Sequence, residues 1–515
     1  MKTTGNLTRG GLLAIVGTAV LAAGCALGPE PQRPETVADG ISSFVHAPEA
    51  SDVESRSADL TGTWWRRIGD PEIVDLVEQA LENNTDLMAA AARVLEGEAQ
   101  LAKVGGSRWP QVTAGVGASR VKNSFVLPSI GRTEIYSTNY SDDLTVSYVV
   151  DLFGKLKRTR QSAWASLLAT EASKQALEHA VVASVVRSRI AVANLERAVV
   201  ISEQIRESWA QTLQTVERRY QGGLVAAVDL YLARENLSAT QAADVQLRGQ
   251  LAQTRHALDV LVGRRPGTGP LPAATLPELP DPEPLPLGMP VDLLERRPDL
   301  RQAEMSLSAA TFGIGIALAD LFPSLTLSAS AGTVADSLSN LTLSDGLVYS
   351  AVANLVAPIF NGGQRRAEVD AARARVEQAS AQYAGTVLTA LREVEDALVA
   401  ESSAWQRLEF TERRLGEARA ADRVARERYQ RGVESLLKVL ETERRLRSAE
   451  EALIATRGDL WNARVDLHLA LGGDWTLGEG RDGLGQTEGL VSSKGPNENP
   501  NHNDELIDVS SEVSR

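Results

Sequence analysis

Residues able to do chemistry are present in this chain, but they are not arranged to do it. The five histidines, His46, His179, His256, His468 and His502, are scattered through 515 residues with no ligand spacing among them. No HExxH helix, GxSxG elbow or phosphate-cradling glycine loop occurs, so metal-assisted hydrolysis, acyl transfer and nucleotide chemistry lack their signatures. The 67 acidic side chains alternate with 53 basic ones along the helical stretches, which is the pattern of a solvated face. We read a protein that is not an enzyme and takes neither a cofactor nor a metal.

One side chain stands where its chemistry would be used. Lys2 and Arg9 precede a short apolar run from Leu12 to Ala23, too short to span a membrane, followed by small residues and Cys25, the only cysteine. Residues 1–24 read as a signal peptide. Leu21-Ala22-Ala23-Gly24-Cys25 resembles the lipobox of bacterial lipoproteins, whose cysteine thiol is lipidated, although the usual leucine three residues before the cysteine is Ala22 here. Cys25 is therefore the expected lipidation site. A single cysteine also excludes an intramolecular disulfide framework. The net charge of −14 leaves no basic footprint for a nucleic-acid partner.

The elements behind this anchor are unusually long. Lys155 to Gln221 is a run of 67 residues without glycine or proline, and at about 1.5 Å per residue it makes a helix of roughly 100 Å. Its apolar stripe runs from Leu177 through Val181, Val185, Val192, Val199 and Trp209 to Val216 and Tyr220 at a mean step of about 3.6, which suits nearly straight helices packed side by side. A second proline-free run, interrupted only by Gly385 and Gly416, covers 364–431. Tyr220 and Tyr429, Gly223 and Gly432, and Gly263 and Gly472 are each 209 residues apart, while Trp109-Pro110 and Phe322-Pro323 are 213 apart. We read a tandem repeat. The first unit, 61–265, carries a hairpin at about 110–152, the long helix 155–221 and a return helix 225–262. The second, 291–475, carries a hairpin at about 323–359, the long helix 364–431 and a return helix 434–471. Residues 25–60 form an extended tether, 266–290 a proline-rich linker and 476–515 a disordered acidic tail. Gly223 and Gly432 supply the φ > 0 that ends each long helix.

Between the helices the period changes to two. Val112, Ala114, Val116 and Ala118 alternate with polar or glycine positions, and Leu144, Val146, Tyr148 and Val150 do so beyond a polar loop. Leu325, Leu327, Ala329 and Ala331 repeat the pattern in the second unit. Strands of about ten residues with one apolar face suit an outer-membrane barrel. The flanking helices are too long to fold back and cover that face, and four strands are too few to close, so three copies are expected to supply twelve. Lys155, Lys157, Arg158 and Arg160 stand in the first turns of a helix, where the dipole disfavours cations. Contact with anionic headgroups is the expectation for them.

Thr63-Trp64-Trp65 before Asp70-Pro71, the run Val291-Asp292-Leu293-Leu294-Glu295-Arg296-Arg297-Pro298-Asp299-Leu300, Asp151-Leu152-Phe153-Gly154-Lys155 and Pro358-Ile359-Phe360-Asn361-Gly362-Gly363 are specific in combination. Over about residues 10–475 the chain resembles outer-membrane efflux lipoproteins of the NodT family, within the TolC- and OprM-like channels. The resemblance implies a mostly α homotrimer with a membrane β part, in which a 12-stranded β-barrel continues into a long α-helical barrel. It implies a passive exit duct in outer membrane lipid that works with a periplasmic adaptor (membrane fusion) protein and an inner-membrane transporter, usually of the RND class. The same resemblance makes the turns at Gly223 and Gly432 the periplasmic tips that dock the adaptor. It places the family's acidic ring positions at Lys438 and Glu441, the first of which is basic here. Asp229 is the first-unit equivalent of Lys438, so a latch between Asp229 and Lys438 is expected. The alternatives are the outer-membrane channel of a type I protein secretion system, a free-standing porin and a periplasmic coiled-coil tether.

Overall fold

The computed structural model describes residues 26–47, 64–127, 131–269, 290–340 and 347–473. Cys25, the signal segment, the linker core 270–289 and the tail from 474 lie outside them. Each unit runs helix, hairpin, long helix, return helix. The first comprises α1 (Pro71–Asn83), α2 (Thr85–Gly106), β1 (Gln111–Leu127), β2 (Gly131–Val150), α3 (Lys155–Gln221) and α4 (Ala227–Leu261). The second comprises a single turn at Leu293–Arg296, then α5 (Pro298–Ala319), β3 (Ser324–Ala335), β4 (Leu347–Val356), α6 (Gln364–Gln430) and α7 (Leu436–Ala470). Both long helices have 67 residues and both return helices 35.

Local chemistry sets the boundaries. Asp70 caps α1 by accepting the Glu72 N–H at 2.9 Å, with Pro71 at the first helical position. α3 starts after Gly154 in the left-handed region, φ 76°, and the Asp151 carboxylate accepts the N–H groups of Leu156 and Lys157 at 3.1 and 2.9 Å. That carboxylate at the positive end of the dipole offsets the cations of the first turns.

The short helices continue the return helices end to end, and one side chain at each joint holds the two ends together. Asn84 Oδ1 accepts the N–H groups of Asp86 and Leu87, which start α2, while its Nδ2 donates to Leu261 O, at the end of α4, at 2.8 Å. At the equivalent joint 213 residues on, Arg297 donates to Ala470 O, at the end of α7, at 3.1 Å and pairs with Asp299 and Glu393. Both joint residues are buried. Because the duplicated positions carry an amide in one unit and a guanidinium in the other, only the second needs acidic partners. His179 on α3 lies beside Arg297 and Asp299; burial pushes its imidazole down to about 4, so it is neutral at physiological pH.

A large buried core lies about the middle of α3. There α1 and the Trp64–Ile68 turn cover α3, with Trp64, Ile73, Val77, Val182, Val186, Leu258 and Trp461 in one core. Arg189, fully buried, reaches Asp70 and Glu72 at 3.3 and 3.0 Å. Phe44 of the N-terminal segment joins Leu293, Leu300, Tyr383 and Val394 of the second unit in the matching core. The stripe read from the sequence is buried from Val181 to Val216, whereas Tyr220 at its end is exposed.

The four strands form one antiparallel sheet in the order β1-β2-β3-β4. Val112 faces Val146, Leu144 faces Ala331, and Ala331 faces Tyr349, so the apolar sets of all four strands share a face. β1 and β2 are longer than expected, at 17 and 20 residues. The segment read as a polar loop continues the hairpin, because paired backbone holds the ladder after apolar alternation has ended. The described N-terminal segment, residues 26–47, carries one helical turn at Val37–Gly40 and is docked on the helices. Leu27 N–H donates to Phe153 O at 3.3 Å, and Glu395 accepts the N–H groups of Val45 and His46 at 2.6 and 3.1 Å.

Replacing Asn84 with Ala is expected to remove both halves of the first joint and cost about 1–2 kcal/mol. Thermal unfolding should show a lower midpoint for that variant, whereas Asn83→Ala, at the exposed neighbour, should change it little. Equal midpoints for the two variants would mean that the joint does not hold the helices in line.

Candidate functional site

The two helix turns form the end of the molecule opposite the sheet. Gly223 and Gly432 adopt φ 71° and 76°. Leu224 N–H reaches Arg219 O at 2.8 Å and Val433 N–H reaches Arg428 O at 3.0 Å, which closes both helices in the same way. Neither glycine has a neighbour that a Cβ would strike, so conformation alone requires glycine there.

A cross-link joins the two turns. Arg219, from the last turn of α3, donates to the carbonyls of Tyr429 and Gln430 at the end of α6, at 3.1 and 2.8 Å, and its guanidinium lies 4.7 Å from the Tyr429 ring centroid. A cation on the negative end of a helix dipole and over an aromatic face is favourable on both counts. Arg428, the equivalent residue in the second unit, instead pairs with Glu434 at 3.6 Å within its own turn. Nothing in the sequence around these two equivalent arginines distinguishes the one that crosses.

Behind the tip, ion pairs tie each outgoing helix to its return helix, and the repeat shows how they diverged. Glu203–Arg248 and Glu412–Arg457 occupy equivalent positions. Arg255 and Arg464 are equivalent too, but their partners, Glu196 and Glu401, sit one helical turn apart. At the third rung the charges are exchanged. Glu217 pairs with Arg234 at 2.9 Å in the first unit, and Arg426 pairs with Glu443 at 2.8 Å in the second.

The second of these rungs is buried and crowded. Arg426 also donates to Asp422 at 2.7 Å and to Ser208 Oγ on α3 at 2.7 Å. Burial pushes the Glu443 carboxyl up to about 7, against the pull of Arg426 and with the push of Asp422, while Trp209 also hydrogen-bonds it. One guanidinium shared by two buried carboxylates leaves a site that favours holding a proton.

The candidate gate residues fall near this cluster but not in it. Lys438 Nζ lies 3.2 Å from Glu441 Oε2, and Glu441 also takes Arg445 at 2.6 Å. Lys438 and Glu441 line an open groove of about 670 Å³ with Trp209, Asn236 and Thr240. Asp229, near the start of α4, acts electrostatically on Tyr429 and makes no ion pair with Lys438 within the chain. The expected latch is therefore not formed inside one subunit, where the i,i+3 partner on the same helix is nearer.

At the other end the headgroup expectation needs correction for two of four residues. Lys155 pairs with Asp320 at 2.6 Å. Arg158 is buried and donates to the carbonyls of Leu27 and Gly28 at 2.9 and 3.2 Å, with Glu30 as counter-ion at 2.9 Å. It therefore docks the N-terminal segment, a partner 130 residues away that no local pattern betrays. Lys157 and Arg160 remain exposed. Cys25 lies outside the described residues, but Ala26 is held at the joint between sheet and helix: a Cβ on Gly154 would come within 2.6 Å of its Cα. Phe153 and Phe322 stack there, with centroids 4.7 Å apart.

Comparison with known proteins follows the same division. A family model described as outer membrane efflux protein matches residues 76–264 and 289–473, covering both units. The pyoverdine export outer membrane protein OpmQ of Pseudomonas aeruginosa is 33% identical over 482 residues, 90% of this chain and 97% of that protein. The solvent efflux pump outer membrane protein SrpC of Pseudomonas putida is 31% identical over 415 residues, 80% of this chain and 87% of that protein. Among solved structures, the outer-membrane channel OprN superposes with a TM-score of 0.78 at 31% identity, covering 88% of this chain and all of that one.

The buried cluster makes a pH prediction. The native state holds the Glu443 proton more tightly than the unfolded chain, so the stability gained from that proton is full below about 4.5 and declines as pH rises to about 7. Glu443→Gln cannot ionise. Melting midpoints measured from pH 5 to 8 should fall less steeply for Glu443→Gln than for the wild type, and identical slopes would show that Glu443 titrates normally.

Proposed function

The chain belongs to the outer membrane efflux protein family, and from that premise we propose that three copies form the passive exit duct of a tripartite efflux pump. The observation that carries this reading is an open four-stranded sheet continuing directly into helices of 67 residues. Among the described residues β1 and β4 are paired on one side only, and in hydrocarbon every backbone group must be paired. Three copies give 4 × 3 = 12 strands in a closed barrel and extend the duct through the periplasm.

Polar face positions support passage of varied cargo. Thr113, Gly115, Gly117, Thr145, Ser147, Thr326, Ser328, Ser330 and Ser350 share the face opposite the apolar one, with the Ser330 and Ser350 hydroxyls 2.8 Å apart. A lumen rich in small hydroxyl and glycine residues, with the Asp143 carboxylate opposite Gly115 and valines such as Val149 and Val352 among them, is wetted. Selection of cargo then rests with an inner-membrane transporter and a periplasmic adaptor, the latter docking at the turns of Gly223 and Gly432. The relatives named for pyoverdine export and for solvent efflux differ in cargo, in keeping with such a duct.

Lipidation at Cys25 fits the docked N-terminus, because an acyl chain attached next to Ala26, at the sheet–helix joint, would reach the inner leaflet. Asp229 of one subunit facing Lys438 of the next would close the tip, since Asp229 has no such partner in its own chain.

In cells lacking their own exit duct, expression with a matched adaptor and transporter should lower susceptibility to a toxic exported solute and should incorporate labelled palmitate into wild type but not Cys25→Ser. Protection that persists without adaptor and transporter would mean a free-standing channel instead. For the tip, Asp229→Ala with Lys438→Ala should raise single-channel conductance in bilayers. Wild-type conductance in that variant would assign closure to helix packing.

A further inference from the structure

The outer face of the first hairpin changes character along its length. The register from Gln111 opposite Ser147 to Leu127 opposite Gly131 is continuous, so Arg120 and Lys122 share a face with Val112, Ala114, Val116 and Ala118. Across the ladder, Tyr136 and Glu134 continue the face of Leu144 and Val146. Lys122 Nζ lies 2.8 Å from Glu134 Oε1 and 5.4 Å from the Tyr136 ring centroid, and the Arg120 guanidinium lies 5.8 Å from that centroid. Arg132, opposite Val126, adds an exposed cation on the same face. Three cations thus stand against one carboxylate, in a chain whose net charge is −14. The opposite face at this level, with Ser119, Val121, Asn123, Ile135, Ser137 and Asn139, carries no charge.

Height places this patch. At about 3.4 Å per residue and a tilt near 40°, each residue advances roughly 2.6 Å along the membrane normal. Lys122 then stands about 26 Å beyond Val112, which matches an apolar band of about 25 Å. An aromatic tier lies just below, with Tyr140 opposite Ala118. The Phe153–Phe322 stack marks the other boundary. Asp142, also on the outer face, sits within the band, and its carboxylate accepts both the N–H and the hydroxyl of Thr333.

We propose that Arg120, Lys122 and Tyr136 bind phosphate-bearing headgroups of the outer leaflet, a proposal that rests on the outer-membrane reading above. Arg120 offers a planar fork of donors to phosphate oxygens, and Lys122 a point charge held in position by Glu134. Tyr136 packs under both cations and keeps them at the interface instead of folded back to the strand. Arg132 extends the positive face farther out.

The full-length protein reconstituted into phosphatidylcholine vesicles containing lipid A, in either its bis-phosphorylated or its dephosphorylated form, provides the test. After extraction in mild detergent, native mass spectrometry counts retained lipid A. Wild type should retain the phosphorylated form at least threefold more than the dephosphorylated one, and the Arg120→Gln, Lys122→Gln double variant should show no preference. Lys122→Arg should keep it. A wild type indifferent to phosphate, or a double variant with undiminished preference, overturns the proposal. Protease protection of the hairpin is read in parallel. If the double variant fails to insert, the wild-type comparison between the two lipids still decides. Failure of wild type to insert into any vesicle would count against the outer-membrane reading, not against the patch.

Discussion

The backbone groups along the outer edges of β1 and β4, which find no partner among the described residues, govern the rest of the molecule. An exposed strand edge is a liability in water and is not tolerated in hydrocarbon, where no solvent can satisfy N–H and C=O groups. The apolar face shared by Val112, Leu144, Ala331 and Tyr349 makes the sheet a lipid-facing surface, so its edges must close on other copies of the same chain. Closure in turn fixes the helices. Each chain contributes α2 and α5 beside α3 and α6 near the sheet, and α4 and α7 beside them toward the tip, with Asn84 and Arg297 keeping the stacked pairs in line.

Duplication supplied two similar halves, and the places where they differ are informative. Glu203–Arg248 and Glu412–Arg457 were kept. Glu217–Arg234 and Arg426–Glu443 exchanged their charges, which preserves the attraction while allowing one pair to sink into a buried cluster with Asp422 and Ser208. Arg219 crosses to the second turn while Arg428 stays in its own, so the two turns of one tip are not interchangeable. In a trimer, such asymmetry yields alternating contacts around the ring from a single sequence.

Periodicity carried most of this fold. The long helices were legible because nothing between Lys155 and Gln221 can break one, and the turns because glycine follows a basic, aromatic helix end. Strand parity was legible only where apolar residues alternate. From Ser119 to Leu127 the pattern fades although pairing persists, so β1 and β2 were read too short. Arg158 was misread because its partners, Leu27 and Gly28, arrive from a distant segment and no local rule distinguishes a buried arginine from a solvated one. Asp229 and Lys438 do not pair within one chain, and sequence equivalence between repeats does not say which neighbour, intra- or inter-subunit, a side chain faces.

Closure of the sheet edges by identical copies is the claim on which the whole account stands. Native mass spectrometry of the complex extracted from membranes in mild detergent measures the copy number directly. Three chains, four strands from each, is the predicted result. A stable monomer or dimer retaining the hairpins in lipid would contradict it, because the edges of β1 and β4 would then have to be satisfied in some other way.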